Sequence, residues 1–196
     1  MLKQVDDRGN VSTDKSGSER PFGLPDKIGY MFGDFGNDFS FLFASNYLMV
    51  FYTKVLGVSG FVVGLLFMGA RIVDAFTDVT MGRIVDHLQP ARDGRFRPWI
   101  RRMSIPVAVA STIMYLYFVQ GWAYWAKIVY MTVTYLLWSS FCYTAINIPY
   151  GSMASVISTD IKNRASLSTF RSIGASLAGL IVGVLVPLVV YETGED

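Results

Sequence analysis

Marking every charged residue along the 196-residue chain divides it into long apolar runs. A helix that crosses a bilayer needs about 20 predominantly apolar residues. Three runs reach that length without a charge: Met103 to Ala126, Ile128 to Thr159 and Ser172 to Tyr191. Two shorter runs, Phe39 to Thr53 and Val55 to Ala70, can span only by continuing into charged sequence. The first runs back through Asp38 and Asp34, the second onward through Arg71, Asp74 and Asp78. The pattern predicts an all-α membrane protein with five transmembrane helices, at about 28–53, 58–82, 100–121, 125–151 and 166–190.

The flanks carry less. Residues 1–24 are polar, mixed in charge and dotted with Ser and Gly, which predicts a solvated tail without a fold of its own. The tail has no short apolar stretch followed by a small-residue cleavage site, so no removable signal peptide is expected. The stretch from about 83 to 99, which ends in HLQPARDGRFRPW, predicts the longest cytoplasmic connection between spans.

Composition agrees with the pattern. Hydrophobic residues make up 52% of the chain and charged residues 16%, against about 25% charged in a soluble domain. Cys142 is the only cysteine, which excludes an intrachain disulfide. A net charge of +2 is too small to suggest nucleic acid as a partner, but its distribution is informative. Five Lys and Arg precede span 1, six lie between spans 2 and 3 or in the first turn of span 3, and two between spans 4 and 5. The opposite ends hold Lys54 and Lys127 alone. The positive-inside rule then predicts a multi-pass cell-membrane protein with a cytoplasmic N-terminus.

Chemistry is to be sought among the charges inside the spans, because an ionised side chain at a helix centre costs about 2.5 to 3.5 kcal/mol on insertion scales. Asp74 and Asp78 are spaced i, i+4, so both carboxylates share one helical face, and Arg71 precedes Asp74 by three. Two such groups stay ionised together only with a cation between them, and hard oxygen ligands suit Na+, Li+ or a proton. The structural alternative is an Arg71 to Asp74 or Asp78 salt bridge. Span 1 repeats the spacing with Asp34 and Asp38, flanked by Gly33, Gly36 and Asn37. Asp38, lying deeper, is the candidate acceptor for ligand hydroxyls. Asp34 is expected to be solvated or to pair with a loop.

On span 4, Tyr143, Thr144 and Asn147 form a polar patch, and Pro149 lacks a backbone donor and so frees a carbonyl nearby. Interhelical hydrogen bonding is the structural alternative for these residues. Arg171 is expected to open span 5, offering its fork of donors to a sugar or carboxylate, or else snorkelling to headgroups. Gly60 with Gly64, and Ala175, Gly179 and Gly183, are expected to form packing faces. Trp122, Tyr124 and Trp125 read as an interfacial belt, His87 as a solvated loop residue and Cys142 as a small packing residue.

The strings IGYMFGDFGNDFSF, ARIVDAFTDVTMGRIVDH, DGRFRPW, YTAINIPYGSM and RASLSTFRSIGASLAGLIVG, taken in order over residues 25–190, resemble the N-terminal half of the glycoside, pentoside and hexuronide cation symporters. That family belongs to the major facilitator superfamily and is typified by the melibiose permease. Gly82 to Asp86 followed by a basic loop resembles the superfamily's loop signature, which implies that Gly82, Asp86 and Arg95 belong to a conformational latch.

The resemblance implies that Asp74, Asp78 and Thr144 bind the coupling cation, and that Asp38, Arg171, Asn147 and Tyr143 line the sugar site. Thr77 stands where the melibiose permease has Asn, Asn147 where it has Asp, Asn37 where it has Lys, and Gly151 where it has the Trp that stacks on the sugar. The cation site is thus matched more closely than the sugar site. The resemblance further implies symport of a sugar or glycoside with Na+, Li+ or H+ by alternating access, with no enzyme activity and no cofactor beyond the coupling cation. Family members have twelve spans, so the chain reads as an N-terminal fragment whose C-terminal partner half is missing and which transports nothing alone. Two other classes compete: a membrane-embedded Mg2+-dependent transferase, which generally needs a second acidic cluster of Asp-Gly-x-x-Ala-Arg or Asn-Asp-x-x-Asp spacing that the sequence lacks, and a small structural membrane protein without transport.

Overall fold

The computed structural model describes residues 22–87, Gly94 and 96–191, and every element of it longer than an isolated bridge residue is helical. The expected tail therefore falls almost wholly outside the described residues, as does Arg95. Among the described residues, seven α-helices join into five rods: α1 (Leu24–Val50), α2 (Gly60–His87), α3 (Arg97–Ile113), α4 (Tyr124–Leu136) with α5 (Thr144–Ile157), and α6 (Ile161–Leu180) with α7 (Val186–Tyr191). π-helical turns prolong α1 at Phe51–Val55, join α4 to α5 at Leu137–Tyr143, and join α6 to α7 at Ile181–Leu185. The number of rods equals the number of expected spans. Three of them, Gly60–His87, Arg97–Gly121 and Ile161–Val189, are long and apolar enough to cross a membrane on length and composition alone.

The rods outrun the expected bounds where local chemistry extends them. α1 starts at Leu24 because Pro25 suits a first helical turn and the Asp26 carboxylate accepts the Gly23 N–H at 2.9 Å. α2 runs to His87, whose Nδ1 lies 2.8 Å from the Arg83 carbonyl, so Gly82 and Asp86 are helical and not part of a loop. Span 3 ends early, at Ile113, and a 3-10 turn at Tyr117–Gly121 follows.

Apolar side chains point outward as well as inward. Leu65, Met68, Ile72, Phe76 and Val79 form an exposed stripe on α2, while Val63, Ala70 and Asp74 on its other side are buried. In water such a stripe would be a liability, whereas against acyl chains it is solvated. Inside, Leu48, Tyr52, Val63, Met114, Met131 and Trp138 join rods 1 to 4 in one core. A smaller cluster of Tyr30, Tyr150 and Leu167 ties rod 1 to rods 4 and 5.

The backbones of α1 and α6 approach closely at Gly174. A Cβ on Gly174 would stand 2.4 Å from the Met31 carbonyl oxygen, and one on Gly33 would stand 2.8 Å from the Tyr150 ring. The expected small-residue faces are different: Gly64 and Gly183 meet nothing within 4 Å, and Gly60 and Gly179 make only ordinary contacts. The packing glycine of span 5 is the neighbour of the stripe that its spacing suggested. The carbonyl expected to be freed by Pro149 is that of Ala145, and it accepts the Trp99 indole N–H at 2.7 Å. That carbonyl fastens α3 to α5 instead of lining a cavity.

Gly174→Leu is expected to lower the melting temperature of the detergent-solubilised chain strongly, because overpacking by even one methylene costs about 1 to 3 kcal/mol. Gly64→Ala should leave it unchanged. Equal melting of Gly174→Leu and wild type would mean that α1 and α6 do not meet at this residue.

Candidate functional site

Asp74 lies midway along α2 and is only 9% exposed. A carboxylate withdrawn from water costs several kcal/mol unless it is given donors, and rod 4 supplies them. Ser139 Oγ donates to the two carboxylate oxygens at 3.1 and 3.2 Å, and Ser140 Oγ donates to Oδ1 at 2.5 Å. The Arg71 guanidinium is more distant, at 3.5 Å, and is 64% exposed. The salt bridge considered as the structural alternative is therefore present, but it is the weaker partner. One turn on, Asp78 is exposed and accepts the Thr144 hydroxyl at 2.9 Å.

The π turn of rod 4 makes this possible. Ser139, Ser140 and Thr144 reach the same pair of carboxylates although an α-helix would turn Ser139 and Thr144 about 140° apart. With the wider turn, Thr144 also donates to the Ser139 carbonyl five residues back, at 3.3 Å. π turns inside α-helices occur frequently at functional sites. The two serines are the site residues that the sequence did not reveal. Their only signal was a pair of hydroxyls in an apolar run.

Asp74, Asp78, Thr144, Tyr143 and Asn147 all line one cleft of about 380 Å³ between rods 1, 2 and 4. Aromatic rings form its walls: Tyr143 stacks on Phe41 at 5.3 Å and lies 5.5 Å from Trp138. The Trp138 indole nitrogen is buried without a hydrogen-bond partner. Asn37 reaches in from α1 and donates to the Tyr143 hydroxyl at 3.2 Å and to the Asn147 side chain at 3.4 Å. Hard oxygen donors on one side and hydroxyl-bearing rings and amides on the other suit a small cation beside a polyhydroxylated ligand.

Two expected members stand elsewhere. Asp38 is half-buried and does not line this cleft. Arg171 does not open its helix, being ten residues inside α6, and its Nε donates to Asp34 at 2.8 Å. Its guanidinium also lies 5.4 Å over the Tyr150 ring. Asp34, expected to be solvated, is 1% exposed. Burial reverses that reading: without water, Asp34 requires the cation that α6 brings to it. Among the described residues no group of three His, Cys, Asp or Glu side chains is placed to hold a metal. Gly82 and Asp86 lie in the last turns of α2, away from this cleft's lining.

Comparison with known proteins agrees with the motifs. The sequence model of the MFS/sugar transport protein family matches residues 29–195. A glucuronide carrier protein homolog of Escherichia coli (strain K12) is 35% identical over 159 residues, which are 81% of this chain and 34% of the relative. An isoprimeverose transporter of Lactiplantibacillus pentosus is 36% identical over 170 residues, 86% of this chain and 35% of the relative. An inner membrane symporter of Escherichia coli (strain K12) is 33% identical over 173 residues, 88% of this chain and 37% of the relative. The chain thus spans about a third of the length of the curated relatives it matches. With almost all of its helical part covered by one family, the chain belongs to the MFS/sugar transport proteins.

Proposed function

We propose that the chain forms part of a symporter that carries a sugar or glycoside together with a monovalent cation across the cell membrane, with its N-terminus in the cytoplasm. The supporting observation is the single cleft in which Asp74 and Asp78 meet Thr144, Tyr143 and Asn147. In this reading Asp74, Asp78 and Thr144, with Ser139 and Ser140 beside them, take Na+, Li+ or a proton. Asn147, Tyr143 and Asn37 meet ligand hydroxyls, and the aromatic rings take the apolar face of the sugar. Asp38 belongs to the same sugar site as it extends along α1. The opposing wall comes from the remaining length of a transporter of the relatives' size.

Cation and sugar share one cleft, so each alters the other's affinity by the same factor. A cation offsets the repulsion between two carboxylates one turn apart and draws rods 2 and 4 together. The sugar then finds Tyr143 and Asn147 already in position. The family membership favours this transport reading over the membrane-embedded transferase and over a structural protein without transport.

The first test is uptake of a labelled glycoside by cells that express the transporter from its complete gene, in Na+ and in K+ media and over a range of pH. Asp78→Asn is expected to abolish the cation-stimulated component while leaving the protein folded, since Asp78 is exposed and loses only its charge. Undiminished cation-stimulated uptake in that variant would remove the pair from the coupling site.

Arg171 needs a different test, because Arg171→Ala leaves the Asp34 carboxylate buried and alone. Removing one partner of a buried pair costs about 3 to 5 kcal/mol, and partial exposure of Arg171 puts the expected loss at the low end. Arg171→Ala should therefore lower the melting temperature, and adding Asp34→Asn should restore much of it. Strictly additive losses in that double-mutant cycle would mean that the two side chains do not act as a pair.

A further inference from the structure

A second groove, of about 580 Å³, opens between the start of α1, the start of α3 and the end of α5. It is separate from the carboxylate cleft and no residue of the proposed transport site lines it. Arg97 and Arg101 stand at its mouth, one helical turn apart on the same face of α3, and both are exposed. Among the described residues neither guanidinium forms an ion pair. Asp26 also lines the groove, with one carboxylate oxygen accepting the Gly23 N–H. The mouth thus carries two guanidinium groups against one carboxylate. Its deeper wall is apolar, built from Ile100, Met153 and Ile157, and Gly29 leaves room beside them.

The groove lies where the starts of α1 and α3 meet the end of α5, and the spans' charge pattern puts that end at the headgroup layer if the bundle crosses a bilayer. Two forked guanidinium groups one turn apart match a phosphodiester, which accepts charge-assisted hydrogen bonds from both. A basic pocket between transmembrane helices, open to the headgroup layer and apolar below, has the recognition chemistry of an anionic phospholipid. We propose that this groove is a binding site for an anionic phospholipid, with the phosphate held between Arg97 and Arg101 and the upper part of an acyl chain along Ile100, Met153 and Ile157. The site depends on the bundle lying in a membrane, not on which solute it carries.

The test is native mass spectrometry of the full chain released from micelles that contain equal amounts of phosphatidylglycerol and phosphatidylcholine. The wild type is expected to retain a phosphatidylglycerol adduct in preference to phosphatidylcholine. R97Q/R101Q should lose it, whereas R102Q/R164Q, which removes the same charge outside the groove, should keep it. R101Q alone alters a single exposed side chain and should weaken the adduct, which keeps the test decisive if the double variant folds poorly. Excess inorganic phosphate should leave the adduct in place. Equal retention in the two double variants would reduce the effect to general surface charge and overturn the site, leaving the groove to a protein segment. Displacement by phosphate alone would overturn the lipid as its occupant.

Discussion

A polar side chain inside a bilayer has no water to turn to, so the protein itself must satisfy it, and in this chain that demand fixes which helices touch. Asp74 draws rod 4 against rod 2 through Ser139 and Ser140. Asp34 draws rod 5 against rod 1 through Arg171. The Ala145 carbonyl draws in rod 3 through Trp99, and Asn37 ties rod 1 to rod 4. The Tyr47 hydroxyl closes the set by donating to the Val182 carbonyl in the π turn of rod 5, at 2.9 Å. Apolar contacts supply the dispersion between rods, but they would tolerate many rotations. The polar bonds do not.

The pairings have an order that fits an inverted repeat. If rods 1, 2 and 3 correspond to rods 4, 5 and 6 of a six-helix half, the contact of rod 1 with rod 5 maps onto the contact of rod 4 with rod 2. Each of those two contacts is held by a buried aspartate: Asp34 in the first and Asp74 in the second. Their partners differ in kind. A guanidinium at 2.8 Å holds Asp34, while Asp74 is held by uncharged hydroxyls that lie closer to it than the exposed Arg71 guanidinium at 3.5 Å. Of the two related joints, the first is an ion pair between rods and the second a set of neutral donors between rods.

Much of this could be read in the sequence, because hydropathy and i, i+4 spacing are local properties. The apolar runs marked out the five rods, with ends that miss by up to eight residues, and the spacing of Asp74 and Asp78 and the polar patch at Thr144 pointed to the cleft. What escaped depended on distance or on phase. Asp34 and Arg171 are 137 positions apart, and no local pattern could pair them or foresee that Asp34 is buried. Gly174 sits beside the stripe of small residues at four-residue spacing, and only the orientation of α6 decides which of them meets Met31. Ser139 was missed because an arithmetic of 3.6 residues per turn places it away from Thr144, and the π turn suspends that arithmetic, while Ser140 was only a hydroxyl in an apolar run.

That wider turn also bears on how the protein can change over evolutionary time. A single-residue insertion in a helix is absorbed as a π turn, and removal of one residue between Leu137 and Tyr143 would let the rod relax into a continuous α-helix. The α-helices on either side would keep their facing, because the wide turn had already taken up the extra residue. Only the side chains inside the turn, Ser139 and Ser140 among them, would shift in register relative to Asp74, while Thr144, the first residue of α5, would keep its place at Asp78. A change of length in this stretch therefore acts on the donors of one carboxylate and spares those of the other. Variation in helix length at this position is thus a route by which members of the family can rebuild the surroundings of Asp74 without replacing either aspartate.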